Sequence, residues 1–186
     1  MKNAWILDLE TLAIAPNAAV IEICLMNVEH PKEKTFELLI SPDFYHGFGR
    51  QPFLVDEGTI KFHKSLGQGN SYAMADTQGL TTQEAIRAQL QNMLLWLDMD
   101  SIIWCQGTDF DIPILTHLLR DFGLSPTWKY NNVRDARTLI KCMHPTPNAR
   151  NPSKKAHRAA EDCAWTLAKL LEVGSYGMLP HTFLEI

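Results

Sequence analysis

The stretch W-I-L-D-L-E-T, Trp5–Thr11, joins an apolar run to two acids that lie one residue apart, Asp8 and Glu10. Such an apolar run is typical of a buried strand. Side chains at positions i and i+2 of a strand point to the same face, so the two carboxylates share one face, roughly 6–7 Å apart along the backbone. Burying a carboxylate without a positive partner is costly. The pair is therefore either solvated at the end of the strand or converges on a cation.

Further strand patterns follow this stretch. The N-terminal runs predict a meander, and shorter apolar segments occur later in the chain. We expect strands over residues 4–9, 18–28, 35–40, 101–105 and 132–135.

Helical spacing dominates the second half of the chain. The capping box T-T-Q-E, Thr81–Glu84, predicts a helix with Thr81 as its N-cap. Apolar residues at helical spacing predict two more helices, over 111–122 and from His157 to about Val173. Residues 41–80 show weak periodicity and are expected to be irregular. This order predicts an α/β fold, with a mixed central sheet of about five strands and helices on both faces, in one domain over residues 1–186.

The composition bounds the class of protein. Hydrophobic residues make up 46% and charged residues 20% of the 186, as in globular proteins and unlike disordered chains. The net charge of −4 argues against coating nucleic acid with the whole surface. We expect no membrane span, no signal peptide and a cytoplasmic location. Since no C-x-x-C pair occurs, we expect reduced cysteines at the four positions Cys24, Cys105, Cys142 and Cys163.

Two later segments carry acids at element boundaries. Asp109 and Asp111 open a helix after the strand pattern, where an acid also complements the helix dipole. His157 and Asp162 are about 140° apart on a helix, so they converge only if His157 precedes the helix body. Taken with Asp8 and Glu10, these groups could bring four carboxylates and one imidazole to one point. Hard oxygen ligands of this kind suit Mg²⁺ or Mn²⁺.

The motifs D-L-E-T, Q-G-T-D-F-D and H-R-A-A-E-D, in this order, resemble the three motifs of the DEDD superfamily of 3′–5′ exonucleases. The His five residues before the last Asp resembles the DEDDh branch, and the middle of the chain is similar to phage exonuclease A. The resemblance implies an RNase H-like fold. It also implies that Asp8, Glu10, Asp111 and Asp162 bind two divalent cations, Mg²⁺ or Mn²⁺, and that His157 is the general base.

The activity implied by the resemblance is two-metal hydrolysis at the 3′ end of single-stranded nucleic acid, with release of nucleoside 5′-monophosphates. DNA is the expected substrate, with RNA processing by the same mechanism as the alternative. An inactive nuclease fold used as a binding module is a third hypothesis. The sequence does not decide the oligomeric state, and a homodimer is one of the states considered.

The sequence departs from the family pattern at several places. Gln106 stands where many relatives have Asn, and Phe62 and His63 stand where relatives often carry two Trp residues. The resemblance selects Asp111 over Asp109 as the metal ligand, and Asp109 adds a charge at a position that is usually small or neutral.

Basic residues on both sides of the proline-containing loop that precedes His157 are candidate phosphate contacts. No acid occurs between residues 136 and 160, whereas Lys and Arg recur there, a pattern suited to positioning phosphates. A solvated charged loop is the alternative. The basic residues are Arg137, Lys141, Arg150, Lys154, Lys155 and Arg158.

Residues next to the motifs are further candidate contacts with the substrate: Thr11, Leu12, Gln106 and Phe110. Leu12 either wedges against the terminal base or packs in the core. The aromatic residues of the 41–80 region either stack on splayed bases or form a small local core; they are Tyr45, Phe48, Phe53, Phe62 and Tyr72.

Overall fold

A five-stranded mixed sheet forms the centre of the fold. The computed structural model describes residues 3–46, 53–143 and 157–175. The strands lie in the order β3-β2-β1-β4-β5. β1 pairs antiparallel with β2 and parallel with β4, so the predicted mixed sheet is confirmed. The strands are β1 (Ala4–Thr11), β2 (Val20–Asn27), β3 (Thr35–Leu39), β4 (Ile102–Cys105) and β5 (Val133–Asp135).

Seven helices surround the sheet in the described part of the chain, together with a short 3₁₀ turn at Tyr130–Asn132. They are α1 (Pro42–His46), α2 (Glu57–Ser65), α3 (Ser71–Gln78), α4 (Gln83–Leu94), α5 (Thr108–Asp121), α6 (Ala136–Met143) and α7 (Ala159–Ser175).

The period-two pattern of β1 divides the core between the two faces of the sheet. Trp5, Leu7 and Leu9 belong to the larger core, which α4 and α5 cover. Ala4 and Ile6 belong to the smaller core, which α6 and α7 cover. Helices therefore lie on both faces, as predicted, and even-numbered side chains of β1 face α7.

The expectation that residues 41–80 are irregular was wrong, because this region forms α1, α2 and α3. Helices of five to nine residues are too short to show a helical repeat. Local caps define them instead: Asp56 accepts from the Thr59 N–H at 2.6 Å, and Asn70 accepts from the Ala73 N–H at 3.1 Å.

Helix starts also differ from the prediction: α5 begins three residues before, and α7 two residues after, the predicted starts at Asp111 and His157. The N-cap of α4 is Thr82, whose Oγ1 accepts from the Ala85 N–H at 3.3 Å, and not Thr81. Helix α6 was not expected at all. Its start is stabilised by Asp135, whose carboxylate accepts from the Thr138 N–H at 2.6 Å. The starts of α4 and α6 both use side-chain caps; at α4 two adjacent threonines can each serve as the cap, so the local sequence does not choose between them.

The four cysteines are free, as predicted, although Cys142 is exposed while the other three are buried. Within the described ranges we find no helix with the length and apolarity required to cross a membrane.

Candidate active site

The acids of β1 project from the strand toward α7. Asp8 and Glu10 continue the row that begins with Ala4 and Ile6, the row that packs against the smaller core. Past Glu10 the pairing with β2 changes register, and the strand ends at Thr11. The apolar half of β1 thus anchors both carboxylates at the end of a buried strand.

Asp111 reaches the same point from the neighbouring strand. β4 runs parallel to β1, and Gly107 in a left-handed conformation (φ 115°) turns the chain into α5. A side chain at this φ is strained, which suits glycine. Asp111 lies in the first turn of α5, is only 3% exposed, and accepts a backbone hydrogen bond from Leu9 of β1. Asp109, two residues earlier, is exposed.

The last helix supplies the remaining two groups. His157 precedes α7 with a φ of 29°, and Asp162 lies in the first turn of the helix. His157 thus precedes the helix body, which is the condition under which the sequence predicts that it converges with Asp162. Glu10, His157 and Asp162 each offer a ligand atom within 4.8 Å of the others, and His157 Nδ1 is 4.0 Å from Glu10 Oε1.

Burial and mutual repulsion raise the pKa values of these acids. Burial, then the charges of Asp111, Glu10 and Asp162, raise the pKa of Asp8 well above its usual range. Burial, then Asp162 and Glu22, raise the pKa of Glu10 to about 8.

Burial also raises the pKa of Asp111 to about 8, although the Leu9 hydrogen bond and the Arg137 charge oppose the shift. Acids that resist ionisation in this way are stabilised as anions when a cation lies among them.

The donor set fits a hard divalent cation. Asp8, Glu10, Asp111 and Asp162 offer carboxylate oxygens, the ligands that Mg²⁺ and Mn²⁺ prefer. The Cys163 thiol is a poor alternative ligand, because burial raises its pKa and its Sγ contacts backbone carbonyls at 3.7 Å.

Leu12 and Thr11 lie beyond the acids but are enclosed by the protein. Leu12 is 0% exposed within the larger core, which corresponds to the packing alternative and argues against a wedge on a terminal base. Thr11 is also buried; its Oγ1 donates to the Ala13 carbonyl at 2.8 Å, and its own carbonyl lies 3.0 Å from His63 Nε2.

Gln106 and Phe110 have structural partners. Gln106 Nε2 donates to Thr166 Oγ1 of α7 at 2.7 Å, and Arg137 donates to the Gln106 carbonyl. The side chain thus ties β4 to α7. Phe110 is half-buried against the larger core and keeps an exposed part next to Asp111.

Arg158 is not the free phosphate contact that the basic segment predicted. Its Nε donates to the buried Glu22 at 2.9 Å, and Nη2 lies 3.5 Å from Glu37. Two carboxylates thus neutralise the guanidinium. Lys154 and Lys155 lie outside the described residues, and so does Arg150.

The aromatic residues of the 41–80 region divide into two groups. Tyr45 and Phe53 are buried and pack edge to face at 5.3 Å, as in a small local core. Phe62 is 48% exposed, and its ring centroid lies 5.1 Å from that of His157. Tyr72 is half-buried, and Phe48 lies outside the described residues.

Glu22 and Ser71 contact the His157 segment and were missed by the sequence reasoning. Glu22 is an acid in the middle of an apolar strand, V-I-E-I-C-L, and that placement was the available signal. No local pattern singles out Ser71, because its partners lie 49 and 86 positions away in the chain.

The family of the chain follows from a match over almost its whole length. The family described as the 3′-5′ exoribonuclease Rv2179c-like domain matches residues 3–174. The chain belongs to this family. Its membership confirms the predicted 3′–5′ exonuclease, a hydrolytic nuclease.

Relatives of this Rv2179c-like chain include an exodeoxyribonuclease of enterobacteria phage T4. The two are 26% identical over 206 residues, which covers 94% of this chain and 90% of the phage enzyme.

Solved structures share the fold. The nuclease domain of 3′hExo, a DEDDh family member bound to rAMP, matches with a TM-score of 0.59 and 13% identity over 94% of this chain and 92% of that one. Cell-death related nuclease 4 matches with a TM-score of 0.51 and 14% identity over 95% of this chain and 65% of that one. The mixed-sheet fold of these nuclease domains, which the sequence predicts, is thereby confirmed.

Proposed function

We propose that the chain removes nucleoside 5′-monophosphates from the 3′ end of single-stranded nucleic acid by two-metal hydrolysis. The observation that carries the proposal is the convergence of four carboxylates and one imidazole, from three separate segments, at the end of β1. Asp8, Glu10, Asp111 and Asp162 would hold two Mg²⁺ or Mn²⁺ ions, which when bound supply Lewis acidity at the scissile phosphate.

The chain's own residues hold the proton and the substrate. The His157 side chain is 45% exposed and can take a proton from the water that attacks phosphorus, as the bond from phosphorus to the 3′ oxygen breaks. Phe110, next to Asp111, and the basic residues Lys154 and Lys155 are proposed as contacts for the strand.

DNA is the proposed substrate. The T4 relative, matched almost end to end, is an exodeoxyribonuclease. RNA is the second candidate, because the family description names an exoribonuclease and the 3′hExo nuclease domain binds rAMP.

A side-by-side degradation assay tests substrate and polarity together. DNA and RNA of one sequence, labelled at the 5′ or the 3′ end, are supplied single- and double-stranded with Mg²⁺ or Mn²⁺. We expect a 5′-labelled single-stranded DNA ladder that shortens from the 3′ end, with nucleoside 5′-monophosphates as products. Faster degradation of RNA than of DNA would show that RNA, and not DNA, is the preferred substrate. Turnover that persists after the metal is chelated would refute the two-metal mechanism. Binding of nucleic acid without turnover would support the hypothesis of an inactive nuclease fold that serves as a binding module.

The remaining proposals concern the whole chain. We propose one exonuclease domain over residues 1–186 and a cytoplasmic location, where buried thiols such as Cys24 and Cys163 stay reduced. The open question of a homodimer is answered by the mass measured by light scattering after gel filtration.

A further inference from the structure

A buried acid that takes no part in the proposed chemistry contacts the segment that carries His157. Glu22 is 0% exposed and lies directly across from Glu10 in the β1–β2 pairing. It faces α7 from the neighbouring strand. Its carboxylate is therefore next to the proposed metal ligands, but its hydrogen-bond donors are Ser71, Arg158 and Ala159.

Three donors reach this carboxylate. Arg158 Nε donates to Glu22 Oε1 at 2.9 Å and Oε2 at 3.2 Å, and the Ala159 N–H donates to Oε2 at 3.2 Å. The Ser71 hydroxyl also contacts Oε2. Two of these donors belong to the two residues that directly follow His157, so the carboxylate holds the backbone on which that residue sits.

Ser71 closes the connection from the other side. Its hydroxyl lies 2.5 Å from the His157 carbonyl and also contacts Glu22, so its single proton serves two acceptors. Its backbone N–H donates to the same carbonyl at 3.3 Å. Ser71 is the first residue of α3 and is 0% exposed, so the contact is rigid.

The backbone of His157 needs such support. A φ of 29° is rare for a residue with a side chain and persists only where the surroundings impose it. The imidazole itself is half-exposed, with Phe62 against one edge. Its direction is thus set mainly by the backbone, and the backbone by Glu22 and Ser71.

We propose that Glu22, acting with Ser71 and Arg158, is a positioning residue that holds His157 in the orientation required of the general base. This inference rests on the proposed function for the role of His157, but the contacts themselves do not. The contacts of Glu22 with Ser71, Arg158 and Ala159 together form the Glu22 latch.

The test is a double-mutant cycle. We expect Glu22→Gln to lower kcat by about 10-fold or more, as for residues that orient an active group, with KM within about 2-fold of the wild type. In a His157→Ala background the same change should alter kcat by less than about 2-fold, since the group that it positions is gone. Glu37→Gln is the matched control: it removes the other carboxylate on Arg158 without touching Ser71 or Ala159, and should leave kcat unchanged.

An equal fold-loss in both backgrounds, or no loss in either, would overturn the proposal. If Glu22→Gln gives no cooperative thermal transition, Ser71→Ala takes its place in the cycle, with a smaller expected loss of about 3-fold to 10-fold. Ser71→Ala deletes the hydroxyl and keeps the backbone contact.

A spectroscopic measurement separates the latch from the nuclease activity. The ¹H–¹³C signals of the His157 ring should shift in Glu22→Gln and in Ser71→Ala but not in Glu37→Gln, with His30 as an unaffected reference. Unchanged His157 signals in both variants would refute the latch. A wild-type protein that degrades no nucleic acid would refute the proposed function instead and leave this measurement valid.

Discussion

Asp109 and Asp111 lie two residues apart in the first turn of α5 but in opposite environments. Asp111 is buried beside Leu9 of β1, whereas Asp109 is exposed. A two-residue step along a helix rotates the side chain by about 200°, which is enough to move it from the site to solvent.

Asp111→Asn should therefore lower turnover by about 100-fold or more, because the amide keeps the shape but loses the charge that holds a cation. Asp109→Asn should change it by less than about 2-fold, as expected for a solvated charge. Steady-state rates on labelled single-stranded DNA measure both. Comparable losses in the two variants would place Asp109 in the site.

His157 is close enough to Glu10 and Asp162 to serve as a ligand as well as a base. If it is the base, His157→Ala should lower kcat by about 100-fold to 10,000-fold, the range for general-base catalysis, and leave Mn²⁺ affinity nearly unchanged. Titration calorimetry with Mn²⁺ alone measures the affinity. A marked loss of Mn²⁺ affinity in this variant would show that the imidazole is a metal ligand.

Among the secondary-structure elements, the short helices α2 and α3 support the candidate active site. His63 of α2 contacts the Thr11 carbonyl at the end of β1, and Asn70 Nδ2 donates to the His63 carbonyl at 3.0 Å. Ser71 then begins α3 against His157. A region that the sequence leaves without periodicity thus connects the end of β1 to the start of α7.

Helix α4 provides a test of cap placement. Thr82→Ala removes the hydroxyl that accepts from Ala85 and should lower the free energy of unfolding by about 1 kcal/mol. Thr81→Ala, one residue earlier, should change it by less than about 0.5 kcal/mol. Urea denaturation of the two variants compares them directly. A larger effect at Thr81 would restore the cap that the sequence predicts.

At the scale of the molecule, the acidic site couples stability to pH and to metal. In the folded state Glu10 and Asp111 have pKa values of about 8 and stay protonated up to that pH. In the unfolded chain they lose their protons near the ordinary pKa values of 4.5 for Glu and 3.8 for Asp. The folded protein binds more protons between these limits, so the free energy of unfolding falls as pH rises through that window.

In EDTA, the free energy of unfolding should therefore fall by at least about 1 kcal/mol between pH 5.5 and pH 8. Added Mg²⁺ or Mn²⁺ should restore it at pH 8 by binding the folded state. Urea denaturation at the two pH values measures the change. Asp111→Asn, which lacks one of the titrating groups, should show a smaller decrease. A metal-free protein that gains stability toward pH 8 would contradict the prediction.

Features that depend on local patterns can be predicted from the amino-acid sequence alone. An apolar run predicted β1 and its two acids, the 3.6-residue repeat predicted α5 and α7, and the order of the motifs gave the resemblance to exonucleases that the family match confirms. These signals are local because a strand or a helix shows its buried face in a few consecutive residues.

The contacts of each polar side chain, by contrast, depend on how distant segments pack in the fold. Arg158 is basic in the sequence, but it pairs with Glu22, 136 positions away, and is thereby withdrawn from the phosphate contacts predicted for it. Leu12 is buried within the larger core, most of whose members come from segments far along the chain. A buried charge must find a partner wherever the fold brings one, and that partner leaves no mark in the neighbouring sequence.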